Sequence, residues 1–572
     1  MKSLKSREIN STLLLSLTSL HHKERMAAIV ENGSVVNKIS PKKNVEECNG
    51  KPGNLLNGNV NLQNNGYTKS ETISNGITKS AGGRAPQRGA ASMEPMDWAQ
   101  FDTDRGSFEH CSLLTAALTQ LGLYILMFLG FVNQLLFTPK VATEKNREGY
   151  APLYNPFEQF YSRYVYRRVA HCFNRPICSA PSVEISLMER DSADYNWSFR
   201  LTGRKLRCLN LGSYNYLGLS AEPESLPVVA AAVRRYGLAL GSPRAELGST
   251  ALHQELEATT AAFLGVEAAI VFGMGFATNT LSLPGLLGAG TLALSDEKNH
   301  ASLILGLRLA RAAVRVFRHN DVRHLERVAR KARAEGRWRR IIIVVEGVYS
   351  MEGSVAPLAA IVALKKRLGL QLYLDEAHSV GAMGARGRGV CELAGVDPRD
   401  VDVLMGTFTK SFGAAGGYVA GSERLVRGLR ALGHAHSYAH AMAPGVAAQV
   451  LWALRALGGG LGAARVAALR DNTRHFRRRL RELGVVAYGH RESPVVPMLV
   501  YSFSKMAATV ERLTARGIAT VGVGFPATPL SEARIRFCLS AGHTREQLDR
   551  CLAAVDEVAS ELGLRYARAP AS

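Results

Sequence analysis

Seven short apolar runs, spaced by stretches of helical periodicity, constrain this chain more than any other feature. They are residues 269–272, 291–294, 314–317, 341–345, 372–374, 401–405 and 417–420. Each is too short for a helix and rich enough in aliphatic residues for a strand buried on both faces. Helical stretches, such as 357–368, separate most of them. Strands alternating with helices predict an α/β fold: a mainly parallel sheet covered on both sides. After about residue 455 the pattern changes to Arg-rich helix and then to strand-like pieces such as 495–501, which reads as a smaller C-terminal domain.

In open α/β sheets, ligands sit beyond the carboxyl ends of the strands. Polar residues gather there in this chain. The run 341–345 leads into Glu346 and Ser350, and 372–374 into Asp375, Glu376 and His378. The run 401–405 leads into Thr407, Thr409, Lys410 and Ser411, and 291–294 into Ser295, Asp296, Asn299 and His300. The run 269–272 leads into Gly273-Met274-Gly275-Phe276. Together these outline a pocket with acids, two histidines, a lysine and a loop of phosphate size.

The parts suit a cofactor that acts as an electron sink. A buried lysine without an acidic neighbour has a lowered pKa and serves as an amine nucleophile for a Schiff base. Asp375 can keep a pyridine nitrogen protonated, because an adjacent carboxylate favours the charged form. His300 suits stacking on a planar ring. Gly273 and Gly275 precede an expected helix at 276–287, whose free N–H groups can bind phosphate. Thr407 or Thr409 can add a hydroxyl. Each residue also has a plainer reading. Lys410 could be solvated, Asp375 could cap a helix, and His300 could be a satisfied core histidine. Asp-Glu-Ala-His also occurs in helicases, but no Gly-Lys-Ser/Thr phosphate loop accompanies it here.

The chain is longer than such an enzyme needs. Of its 572 residues, 1–110 are rich in Asn, Gly, Ser and Lys and poor in aromatics, which predicts a disordered tail. Residues 112–137 carry no charge. At 1.5 Å per residue they can cross a hydrocarbon layer of about 30 Å, so 111–137 is expected to be a transmembrane or membrane-embedded helix. Asp102, Asp104, Arg105 and Glu109 precede it, and Lys140, Lys145 and Arg147 follow. The cationic excess places the C-terminal side in the cytosol. Residues 138–250 read as an amphipathic linker and N-terminal segment, 251–455 as the large domain and 456–572 as the small one. The formal charge of +22 invites a nucleic-acid reading, but no nucleic-acid-binding motif accompanies the Arg runs. The eight cysteines show neither CxxC pairs nor zinc spacing, so neither a structural metal nor a disulfide framework is expected.

Several ordered stretches are distinctive. They include Ala193-Asp194-Tyr195-Asn196-Trp197-Ser198-Phe199, Gly212-Ser213-Tyr214-Asn215-Tyr216-Leu217-Gly218, Asp375-Glu376-Ala377-His378-Ser379, Gly406-Thr407-Phe408-Thr409-Lys410-Ser411-Phe412-Gly413 and Gly524-Phe525-Pro526-Ala527-Thr528-Pro529. From about residue 100 onward the chain resembles the α-oxoamine synthase family of fold-type-I pyridoxal-phosphate enzymes. Within it, the chain looks like the branch of catalytic long-chain-base subunits, types 2 and 3, of eukaryotic serine palmitoyltransferase. The resemblance implies a condensation of L-serine with palmitoyl-CoA that yields 3-ketosphinganine. It implies that Lys410 binds the cofactor and moves the serine Cα proton. Asp375 would pair with the ring nitrogen, His378 with the ring hydroxyl, and His300 would stack on the ring. Thr407 and the Gly275/Phe276 backbone would hold the phosphate, and Ser350 would lie near the ring. Related synthases often place an arginine where Phe525 stands, so Arg536 is the candidate for the substrate carboxylate. Tyr438-Ala439-His440-Ala441 and Gly241-Ser242-Pro243-Arg244 depart from the family pattern. The resemblance further implies an endoplasmic-reticulum membrane protein with a cytosolic catalytic domain. Its implied partners are a lysine-lacking paralogue in a heterodimer, small activating subunits and Orm-type regulators. The alternative is a regulatory or scaffold subunit of the same complex.

Overall fold

The structure, a computed structural model, describes residues 112–136 and 156–567. The expected tail at 1–110, the charges flanking the apolar stretch and all of 137–155 lie outside the described residues. By contact density the chain divides into Met1–Asp97 and Trp98–Ser572, and every described residue belongs to the second unit.

Thirteen strands appear among the described residues. A long hairpin comes first, β1 (Glu184–Asp191) and β2 (Arg200–Asn210). Then follow β3 (Ala268–Phe272), β4 (Thr291–Asp296), β5 (Ala313–Phe317), β6 (Arg340–Glu346), β7 (Gln371–Asp375), β8 (Val403–Thr407) and β9 (Gly417–Gly421). These seven are the seven apolar runs, and they form one sheet in the order β3-β9-β8-β7-β6-β4-β5. The pairs β5–β4, β4–β6, β6–β7 and β7–β8 are parallel. Only β9 runs against its neighbours, pairing antiparallel with both β3 and β8. Every residue of β4, β8 and β9 is buried, because helices cover both faces and no strand needs a polar side. One layer packs Ile270, Leu283, Ala293, Leu303, Ile342, Tyr373 and Val419 together.

One strand begins later than its apolar run. The ladder of β8 opens at Val403, not at residue 401. Asp402 is the reason: its carboxylate accepts the Leu372 N–H at 2.7 Å and pairs with Lys365 at 2.7 Å, so a side chain takes the place of a ladder carbonyl.

The C-terminal part builds a second sheet from β10 (Val495–Tyr501), β12 (Val521–Val523) and β13 (Ala533–Cys538), with β13 central. The two-residue β11 (Ile518–Ala519) instead joins the hairpin, parallel to β2. Helix Leu113–Leu136 stands apart in character. It is 24 residues long with Gly130 its one buried residue, and it touches the body where Phe131 stacks on Phe160 at 4.1 Å.

Candidate active site

The site grows from the carboxyl edge of the seven-stranded sheet. β6 and β7 end in register at Glu346 and Asp375. Both carboxylates are buried, so each needs hydrogen-bond partners. Asp375 Oδ1 accepts the Ala377 N–H at 2.9 Å and Oδ2 accepts Asn279 Nδ2 at 2.8 Å. Glu346 accepts the backbone N–H of His300. Burial, reinforced by the charge of Asp375, pushes the Glu346 carboxyl well above its ordinary value.

Asn279 is the hub of this edge. It lies one turn inside helix Gly275–Leu286. Its amide donates to Asp375 and to Ser302 Oγ at 2.9 Å, and its oxygen accepts Tyr373 OH at 2.6 Å. Ser302 Oγ in turn lies 2.7 Å from His300 Nδ1. His300 sits at the start of helix Ala301–Leu309, where its ring also accepts the Ser302 N–H. Burial lowers its pKa, with Asp375 opposing and Lys410 assisting, so the ring is neutral.

Lys410 lies on the loop between β8 and β9. Part of the residue's surface opens toward the pocket, but its amine is surrounded by protein. Burial lowers its pKa to about 8 against the opposing pull of Asp375 and Glu346. The amine stands 5.8 Å from the centre of the Tyr214 ring. The loop can turn here because Gly413 adopts φ +61°, where a Cβ would strike the Ser220 backbone. His378 Nδ1 is 2.7 Å from Tyr216 OH, and the Tyr214 ring meets the His378 ring edge-on at 5.1 Å. Burial holds His378 far below its usual pKa, and Lys410 and Arg536 push the same way.

Arg536 reaches in from β13. Its guanidinium lies 4.7 Å over Tyr214, and Nη1 donates to the Ser350 carbonyl at 3.4 Å. Its buried Nε has no hydrogen-bond partner in the structure. Arg534, two residues earlier on the same face of the strand, is fully buried and holds the Met351 carbonyl at 3.0 Å. The two arginines together fix the Ser350 loop.

The nine residues to which the resemblance gives a role, Lys410, Asp375, His378, His300, Thr407, Gly275, Phe276, Ser350 and Arg536, lie around this edge. Gly275 packs so close to Thr407 that a Cβ there would lie 3.2 Å from the Thr407 methyl. Helix Gly275–Leu286 has no side-chain cap, so its first N–H groups, including those of Gly275 and Phe276, are available. An uncapped helix start, a carboxylate set by two donors and a buried amine of lowered pKa fit pyridoxal phosphate. Tyr214, Tyr216, Asn279 and Ser302 were not assigned from the sequence. Asn279 had a signal, standing four residues after Gly275 on the same helix face. The tyrosines had none, since Tyr216 and His378 are 162 positions apart. A separate depression of about 670 Å³ lies at the opposite, amino edge of the sheet, lined by Arg340, Gln371 and Val403, away from this chemistry.

The aminotransferase class I and II family model matches residues 207–555. Human serine palmitoyltransferase 3 is 46% identical over 539 residues, covering 91% of this chain and 95% of that one. A solved serine palmitoyltransferase from Sphingomonas wittichii is 28% identical with a TM-score of 0.64, covering 72% of this chain and 99% of that chain. Another solved serine palmitoyltransferase, described as holding pyridoxal phosphate as its internal aldimine, is 26% identical with a TM-score of 0.63 over 72% of this chain and all of that one. Fold and site thus define a fold-type-I, pyridoxal-phosphate-dependent transferase. The chain belongs to the serine palmitoyltransferase family. It is a pyridoxal-phosphate-dependent acyltransferase of sphingolipid metabolism, and its apolar helix is consistent with membrane anchoring.

Proposed function

We propose that this chain is a catalytic subunit, condensing L-serine with palmitoyl-CoA to give 3-ketosphinganine, CO₂ and CoA. The observation that carries this reading is Lys410: an amine at the carboxyl edge of the sheet, buried beside two acids, with its pKa lowered to about 8. When bound, pyridoxal phosphate supplies an aldehyde and a ring that withdraws electrons from the serine Cα. Lys410 Nζ holds the cofactor and moves the Cα proton, which an amine titrating near physiological pH does well. Asp375 would pair with the ring nitrogen and His300 would cover the ring. With Nδ1 of His378 taken by Tyr216, Nε2 is left for the ring hydroxyl. Thr407 and the N–H groups of Gly275 and Phe276 take the phosphate, and Ser350 lies at the ring. Arg536, whose guanidinium lies over the Tyr214 ring at the site, would take the serine carboxylate.

Other parts of the reading are proposals of the same kind. The chain is divided as 1–110 tail, 111–137 membrane helix, 138–250 N-terminal segment, 251–455 large domain and 456–572 small domain. It resides in the endoplasmic-reticulum membrane with its catalytic part in the cytosol. It pairs with the lysine-lacking paralogue and with small activating and Orm-type subunits. Support for a partner comes from Leu238, Leu247, Met274 and Tyr438, all strongly exposed around the segment that covers Gly273.

A regulatory or scaffold role is the second reading, favoured by the two segments that depart from the family pattern. They touch each other: Pro243 and His440 form a β-bridge, and the Ala441 N–H donates to Ser242 O at 3.1 Å. Cells lacking their own catalytic subunit, given this chain and the lysine-lacking subunit, decide between the two. Restored 3-ketosphinganine supports catalysis. Normal expression without product supports the scaffold.

A further inference from the structure

The Tyr195-Asn196-Trp197 loop takes no part in the site, yet it is built with care. Tyr195 and Asn196 both adopt left-handed φ, 59° and 65°, which non-glycine residues adopt only under constraint. The constraint is visible. The Asp194 carboxylate accepts Ser192 Oγ, the Trp197 N–H and the Ser198 N–H, all at 2.9–3.0 Å. The Asn196 amide donates to the carbonyl of Arg167 at 3.1 Å. The result is a rigid turn that turns two large aromatics outward, Tyr195 61% exposed and Trp197 60% exposed. The Arg167 guanidinium sits between them, 5.5 Å from the Tyr195 ring and 4.3 Å from the Trp197 ring.

The neighbourhood is basic and lies next to the apolar helix. Residues 163–210 hold nine Lys and Arg against four Asp and Glu. Arg200, Arg204 and Arg207 on the hairpin have exposed side chains, each paired with an acid of β1, Asp191, Glu189 and Glu184 in turn. Helix Leu113–Leu136 meets the body at Phe131, five residues or roughly 7.5 Å before its C-terminal end. Phe160, its partner, lies 5.3 Å from Tyr164 on helix Pro156–Tyr164, which runs into the turn that carries Arg167. A chain of packed aromatic contacts therefore links the apolar helix to the segment that carries the aromatic loop.

We propose that this loop is a second membrane contact, docking on an anionic bilayer surface beside the apolar helix. Tyr and Trp rings with one apolar and one polar side settle at the headgroup level. A basic surround is drawn to anionic lipid over a Debye length. The contact holds the catalytic body at a fixed orientation to the bilayer that delivers a long-chain substrate. The proposal rests on the membrane reading of helix Leu113–Leu136, and the experiment separates the two.

Full-length protein, loaded with cofactor, is reconstituted into vesicles of phosphatidylcholine and phosphatidylserine, with or without bromine on the upper acyl chain. Flotation reports the helix. The difference in emission between the protein and its Trp197→Phe variant isolates the Trp197 indole, one of four in the chain. The expected result is a blue-shifted Trp197 component that brominated lipid largely quenches, more weakly in vesicles without phosphatidylserine. A Tyr195→Trp variant should gain a second quenched component, which keeps the test valid if Trp197→Phe fails to load cofactor. Protein that floats but shows a water-like, unquenched Trp197 component overturns the docking and leaves the helix reading intact. Protein that does not float overturns both.

Discussion

Under the proposed function the chemistry falls on the Lys410 amine, and its surroundings make a prediction about pH. The neutral amine is the reactive form. With a pKa of about 8, about one tenth is neutral at pH 7 and about nine tenths at pH 9. Cofactor loading by apoprotein should therefore rise roughly ninefold across that interval and level off above it, as followed by the growth of the cofactor's absorbance. Below pH 7 loading should fall about tenfold per unit. Lys410→Ala should show no such band at any pH and form no 3-ketosphinganine. Asn279 offers a test of the supporting network. Asn279→Ala removes one hydrogen-bond partner from each of Asp375, Ser302 and Tyr373, which should lower stability by about 1–3 kcal/mol. Calorimetry measures the first effect, and cofactor titration should show weakened binding, because the Asp375 carboxylate loses the donor that orients it.

At the scale of elements, two helices set the site and their contact is tight. Gly306, on helix Ala301–Leu309, faces helix Gly275–Leu286 so closely that a Cβ would lie 2.6 Å from Leu283 Cδ1 and 2.8 Å from the Asn279 carbonyl. Alanine is intrinsically the better helix former by about 1 kcal/mol. Overpacking a close contact costs about 1–3 kcal/mol, and one of the clashing atoms is backbone. Gly306→Ala should therefore destabilise on balance, with a lower melting temperature and weaker cofactor retention, since His300 and Asn279 ride on the two helices being forced apart. The elements themselves were legible in the sequence where burial is two-sided. All seven runs of the large sheet became strands, because a strand between two helical layers must be apolar throughout. The displaced start of β8 was not legible, because it depends on Asp402 reaching the backbone of a different strand.

For the whole molecule, the apolar helix and the catalytic body are separable in energy. They share the Phe131–Phe160 stack and the close approach of Gly130 to Phe160 and Tyr164. An aromatic pair of this kind contributes about 0.5–1.5 kcal/mol. Deleting residues 113–136 should release the protein from vesicles that lack anionic lipid in a flotation assay, while the cofactor absorbance and the melting temperature change little. The charge of +22 belongs at this scale too. Surface ion pairs such as Arg512–Glu561 and Arg516–Glu557 match cations to anions one for one, each contributing little by itself, and leave that excess of cations in place.

The sequence by itself determined the class of fold and the edge of the sheet where polar residues gather. It could do so because strand order along the chain and polarity at strand ends are local properties. The tertiary structure alone decided the order of strands, the Tyr216–His378 and Arg536–Tyr214 contacts, and the network through Asn279. It also decided that Lys410 titrates near 8 rather than near its ordinary 10.5. These depend on segments far apart in sequence being buried together, and desolvation and contact act through space, along paths that no local pattern records.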